Sequence, residues 1–182
     1  PLRGNPLMRA VGHGLLRRMG WRGEGEGPNL PKLVIAVAPH TSNWDFVVGA
    51  AAMFALDLRL AFLGKHTIFR WPFRGLMVWL RGVPVSRQAA SGFLGAVIEQ
   101  YRSNDWMWLA LAPEGTRKHT DHLKSGFYRI ALGADVPCGL GFIDYATKTL
   151  GIREFVRFSG NAEDDVAALQ ALRGISFITA VA

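Results

Sequence analysis

Short apolar runs, each stopping in a turn of charged and hydroxyl residues, constrain this chain more than any other feature. Lys32 to Ala38 gives way to Pro39-His40-Thr41-Ser42-Asn43-Trp44-Asp45. Trp106 to Ala112 gives way to Pro113-Glu114-Gly115-Thr116-Arg117, and Gly82 to Val85 delivers Ser86-Arg87. Runs of this length bounded by turn residues suit buried strands. Between them lie segments with helical spacing, such as Phe93, Leu94, Val97, Ile98 and Tyr101. Strand and helix in alternation predict an α/β fold, a single domain whose mixed, mostly parallel sheet is covered by helices on both faces. Open sheets of this kind place their sites beyond the strand ends. The polar residues at those ends are therefore the first candidates for chemistry.

The pattern predicts strands near 33–38, 59–63, 83–85, 106–112, 136–142 and 150–158, with helices near 6–20, 43–56, 72–81, 90–102, 123–133 and 163–172. Residues 1–28 read as an amphipathic basic helix with a Gly-rich link, and 29–182 as the main domain. One cysteine, Cys138, permits no intramolecular disulfide, and its apolar surroundings suggest an inert core thiol. The N-terminus lacks the apolar core and cleavage site of a signal peptide. Phe46 to Leu56, the longest apolar stretch after His40, falls short of the ~20 residues needed to span a bilayer.

His40 and Asp45 form a His-x4-Asp pair on the expected strand-to-helix turn. If Asp45 lies in the first helical turn, its carboxylate can fold back to the imidazole, fix one tautomer and stabilise the imidazolium. That equips His40 as a general base with Asp45 as its orienting partner. A satisfied polar pair or a helix cap is the plainer alternative. Gly-x-Ser-x-Gly is absent, so no nucleophilic serine is signalled. His119, Asp121 and His122 crowd one polar loop without a further partner at a dependable spacing, and no metal is expected.

Taken in order, His40-x4-Asp45, Gly82 to Arg87, Glu114-Gly115-Thr116-Arg117 and the Val136-Pro137 strand opening resemble the glycerolipid acyltransferase family, which includes 1-acylglycerol-3-phosphate acyltransferases. The resemblance runs from about Val34 to Phe158. It implies a glycerol-3-phosphate acyltransferase-like fold. It also implies transfer of an acyl group from acyl-CoA or acyl carrier protein to a hydroxyl of a lysophospholipid, with no cofactor beyond that co-substrate. A hydroxyl attacking a thioester needs a base that titrates near neutrality, which suits His40 and requires no covalent acyl-enzyme. Arg87 and Arg117 are the expected acceptor-binding groups, since guanidinium pairs with phosphate oxygens and stays charged. Glu114 either anchors Arg117 or shapes the turn. Gly115 and Thr116 would let the backbone approach a ligand. Ser86 and Lys118 depart from the family pattern beside the two arginines, which leaves the acceptor headgroup open.

The net charge of +7 fits a peripheral partner at the anionic inner face of the cytoplasmic membrane. Two segments interleave basic and large apolar residues. In the first, Leu7, Val11, Leu15 and Met19 recur every fourth position, and the second runs from Ile68 to Arg81. Either stripe could instead pack on the core. Nucleic-acid binding or an idle lipid-binding domain are the rival classes. The cations are spread along the chain without a nucleic-acid-binding motif, so no nucleic-acid partner is expected. An acyl chain would need an apolar groove, expected from 46–56 and 68–80.

Overall fold

The computed structural model describes residues 2, 4–24, 28–38, 42, 44–85, 90–113, 125–161, 165 and 170. The strand Lys32–Val37 (β2) shows how the layers are assigned. Val34 and Ala36, together with Ala38 just beyond it, join one buried cluster with Val97, Tyr101, Phe127 and Ile130. Leu33, Ile35 and Val37 join the apolar groups of the opposite face. Alternation with period two has thus divided one apolar run between two cores.

The first core is covered by helices α4 (Ala90–Ser103) and α5 (Gly126–Gly133). The second is covered by α1 (Pro6–Met19), α2 (Trp44–Ala55) and the short α3 (Arg74–Trp79). Helices on both faces are as the pattern predicts. The remaining strands are β1 (Arg22–Glu24), β3 (Leu60–Lys65), β4 (Gly82–Val85), β5 (Met107–Leu111), β6 (Cys138–Asp144) and β7 (Thr149–Val156). They form one sheet in the order β1-β7-β6-β2-β5-β3-β4.

Five neighbouring strands, β6, β2, β5, β3 and β4, run parallel. β7 returns antiparallel to β6 through the turn 145–148, and β1 pairs parallel with β7 at the edge. A mixed, mostly parallel sheet results. Tyr101 donates its hydroxyl to the Leu33 carbonyl at 2.9 Å, and the Trp108 indole donates to the Leu30 carbonyl at 2.8 Å, so polar atoms buried against β2 and β5 are satisfied.

Two expectations change. Within the helix expected over 72–81 only the six residues of α3 are α-helical, a separate 3-10 turn at His66–Phe69 precedes that segment, and Arg81 adopts φ +66 to turn the chain into β4. β1 lies within the Gly-rich link, where three exposed residues carry no apolar alternation to reveal it. The helix expected over 163–172 falls mostly outside the described residues.

The first helix docks chiefly through Gly12 and Leu16, and of its expected apolar stripe Met19 packs on the core. A Cβ at Gly12 would meet the backbone of Ala55 and lie 2.7 Å from the Ala51 carbonyl oxygen, so α1 and α2 cross at backbone contact. Gly12 and Leu16 face α2, while Leu7, Val11 and Leu15 are exposed. Asn5 starts this helix by accepting the Met8 N–H at 3.1 Å, and Gly20 ends it in the left-handed conformation.

Candidate active site

Parallel pairing decides where the motifs begin. β2, which precedes His40 in the chain, ends beside β5, which precedes Glu114 to Arg117, with Ala36 opposite Leu111. β4, which precedes Arg87, ends at the same edge of the sheet two strands beyond β5. Strands lie about 4.8 Å apart, so the ends of β2 and β4 are separated by roughly 14 Å across three spacings. His40, Arg87, Glu114, Gly115, Thr116 and Arg117 themselves lie outside the described residues, as do His119, Asp121 and His122. Of the candidate catalytic and substrate-binding groups, Asp45 is described.

Asp45 sits in the first turn of α2 and is 3% exposed, although it is a carboxylate at the start of a helix. Its Oδ2 accepts the Ser42 N–H at 2.8 Å, while Ser42 Oγ accepts the Trp44 N–H at 3.1 Å. Together these bonds cap the start of α2, and the negative charge is favoured by the helix dipole. The capping alternative is therefore present in the structure. It engages one carboxylate oxygen.

The other oxygen has a partner that the motif pattern did not indicate. Oδ1 of Asp45 accepts a short hydrogen bond from the Tyr145 hydroxyl, across 100 positions of sequence. Tyr145 opens the turn between β6 and β7, and because β6 pairs with β2, that turn stands at the same sheet edge as the start of α2. Its ring packs edge-on against Trp21, with centroids 5.0 Å apart. Burial, followed by the hydrogen bond and charge of Asp45, pushes the phenol well above its ordinary pKa, so Tyr145 remains a protonated donor. Asp144 secures the turn by accepting the Ala146 N–H at 2.9 Å and the Thr147 hydroxyl at 2.8 Å. An isolated tyrosine in a polar turn carries no sequence signal of this role.

Cys138 is fully buried on β6, and desolvation pushes its thiol up to about 12. The inert-thiol expectation holds, and this sulfur is unsuited to carry an acyl group. No group of three or more potential metal ligands occurs among the described residues. An open pocket of about 380 Å³ is lined by Asn5, Met8, Arg59, Trp79 and Arg81. Arg59 and Arg81 directly precede β3 and β4, which puts this pocket at the edge opposite the motif strand ends.

Large apolar groups are exposed close to the motif edge. Trp44 and Val47 are exposed in the first turns of α2, and Trp71, at 91%, and Phe73 are exposed in the segment that follows β3. The helices that carry or follow these regions, α2 and α3, pack together through a cluster containing Met53, Met77 and Leu80 and through the Phe54–Trp79 ring contact at 5.8 Å. No helix among the described residues is long and apolar enough to cross a membrane.

The Acyltransferase family profile matches residues 25–139, which takes in β2, β4, β5 and all four motif segments. No curated protein matches the sequence. The fold is similar to that of the 1-acyl-sn-glycerophosphate (LPA) acyltransferase PlsC from Thermotoga maritima, with a TM-score of 0.64 and 18% identity. That match covers 96% of this chain and 79% of the other. At this identity the likeness establishes the architecture.

Proposed function

Because the chain belongs to the Acyltransferase family, we propose that it moves a fatty acyl group from an acyl thioester to a hydroxyl of a lysophospholipid such as 1-acylglycerol-3-phosphate. The observation that carries this reading is Asp45. The carboxylate of the His-x4-Asp motif is withdrawn from solvent and engaged through both oxygens, at the edge where the three motif strands end. A pre-oriented carboxylate beside a histidine is the arrangement that general-base catalysis needs.

In the proposed reaction, His40 takes the proton of the acceptor hydroxyl as its oxygen attacks the thioester carbonyl. Asp45 holds the ring and stabilises the imidazolium. The tetrahedral intermediate collapses with cleavage of the carbon–sulfur bond, and the proton on His40 passes to the departing thiolate. The new ester and a free thiol balance the step without an acyl-enzyme, in keeping with the buried Cys138. Arg87 and Arg117 hold the phosphate of the acceptor, with Glu114, Gly115 and Thr116 shaping the adjoining turn. Acyl-CoA or acyl carrier protein supplies the acyl group.

The acceptor is amphipathic, and the enzyme meets it at the inner face of the cytoplasmic membrane. The exposed Trp44, Val47, Trp71 and Phe73 support that reading, as do Arg70 and Arg74 beside them and the net charge of +7. So does the exposed stripe Leu7, Val11 and Leu15 on α1.

The test is a panel of lysophosphatidate, glycerol 3-phosphate and neutral or amino-containing lysolipids, with thiol release and ester formation both measured. Lysophosphatidate is expected to be acylated, and His40→Ala is expected to lower kcat by about 10²–10⁴-fold. Release of the acyl group as free acid with every acceptor, or near-parental transfer by His40→Ala, would refute the proposal.

A further inference from the structure

The geometry points to Tyr145 as a positioning residue for acyl transfer, acting on the base through Asp45; this inference rests on the His40–Asp45 mechanism proposed above. A carboxylate that orients an imidazole must not itself rotate. Asp45 Oδ2 is tied by the Ser42 N–H at 2.8 Å, but a single bond leaves the carboxylate free to swing about that anchor. The Tyr145 hydroxyl supplies the second anchor on Oδ1. With both oxygens tied, the plane is defined.

Tyr145 is itself held from two sides. Trp21 packs edge-on against the ring at 5.0 Å and belongs to the buried cluster that joins α1 to α2 through Leu16, Val48 and Ala51. The turn that bears Tyr145 is closed by Asp144, which bonds Ala146 N–H and the Thr147 hydroxyl. The phenol is thus a rigid donor built onto β6 and β7, and its target is the one motif carboxylate buried at the start of α2. A bond made for stability alone would not require its acceptor to be that residue.

Tyr145→Phe removes the hydroxyl and keeps the ring against Trp21. It is to be assayed alone, beside Asp45→Asn, and in the double variant, using the intact chain with lysophosphatidate and a long-chain acyl-CoA. Tyr145→Phe is expected to lower kcat about tenfold, to leave the acceptor KM within about twofold, and to retain a cooperative thermal transition. In the Asp45→Asn background the same change is expected to alter kcat by less than about twofold, because the group through which it acts is already gone. Full turnover by Tyr145→Phe while Asp45→Asn is impaired would overturn this inference alone. So would an equal fold-loss in both backgrounds, or a loss confined to KM. Full turnover by Asp45→Asn would overturn the dyad mechanism and this inference with it.

Discussion

Replacing Asp45 by asparagine separates a catalytic carboxylate from a helix cap, because the two roles predict losses of different kind. The Ser42 N–H can only donate, so the asparagine oxygen must face it. The amide nitrogen then faces Tyr145, whose hydroxyl can rotate to accept. Both bonds survive in form and lose their charge assistance, a difference of about 1 kcal/mol each. Burying a neutral amide in place of a carboxylate 97% removed from solvent, the complement of its 3% exposure, offsets part of that loss. The expected net cost is about 1–2 kcal/mol, or roughly 2–8 °C in Tm for a chain of this size. Against a typical stability of about 5–15 kcal/mol the variant stays folded at 25 °C. The imidazolium, by contrast, loses its counter-charge and the ring its tautomer control, for which kcat should fall by about 10²–10⁴-fold. Thiol release under saturating acceptor gives kcat, and circular dichroism on heating gives Tm. A variant with kcat within about threefold of the parent and the predicted small shift in Tm would show that Asp45 only caps α2 and would refute the mechanism.

Trp71→Ser combined with Phe73→Ser should weaken sedimentation with anionic phospholipid vesicles at least several-fold while sparing turnover of a water-soluble short-chain acceptor. Equal loss on both substrates would mean that the pair supports the fold. Gly12→Val should destabilise the chain by about 1–3 kcal/mol, seen as a lower Tm, since the added Cβ meets the α2 backbone at Ala51 and Ala55; an unchanged melt would mean that α1 can shift freely. Cys138 should resist alkylation in the native protein: with a pKa of about 12, roughly one thiol in ten thousand is ionised at pH 8, and activity should survive the reagent. The folded pKa exceeds the ordinary value near 9, so the contribution of this thiol to stability is complete below pH 9 and declines as pH rises from 9 toward 12. Denaturant melts between pH 8 and 11 on the parent and a Cys138→Ala variant would report it.

The strands and long helices were legible because each is written in local periodicity. The run at Lys32 to Ala38 became β2 and Trp106 to Ala112 became β5, each within a residue or two, and α4 follows the spacing of Phe93, Val97 and Tyr101. Short elements without apolar alternation were hidden, as at Arg22–Glu24, which is a strand only because β7 offers it an edge. The capping of α2 by Ser42 was also foreseeable from residue type. The outward direction of Leu7, Val11 and Leu15 was not. A helical stripe specifies which residues share a face but not which face meets a partner, and here the backbone fit at Gly12 chose the other one.

From its residues alone the chain determined an α/β architecture, the order of its motifs and their attachment to strand ends, because these depend on neighbours within a few positions. Only the tertiary structure decided that β2 lies between β6 and β5, with the five parallel strands β6, β2, β5, β3 and β4 ending at one edge. Strand order is set by long-range packing of whole faces, and it alone carries Tyr145 across 100 positions to Asp45.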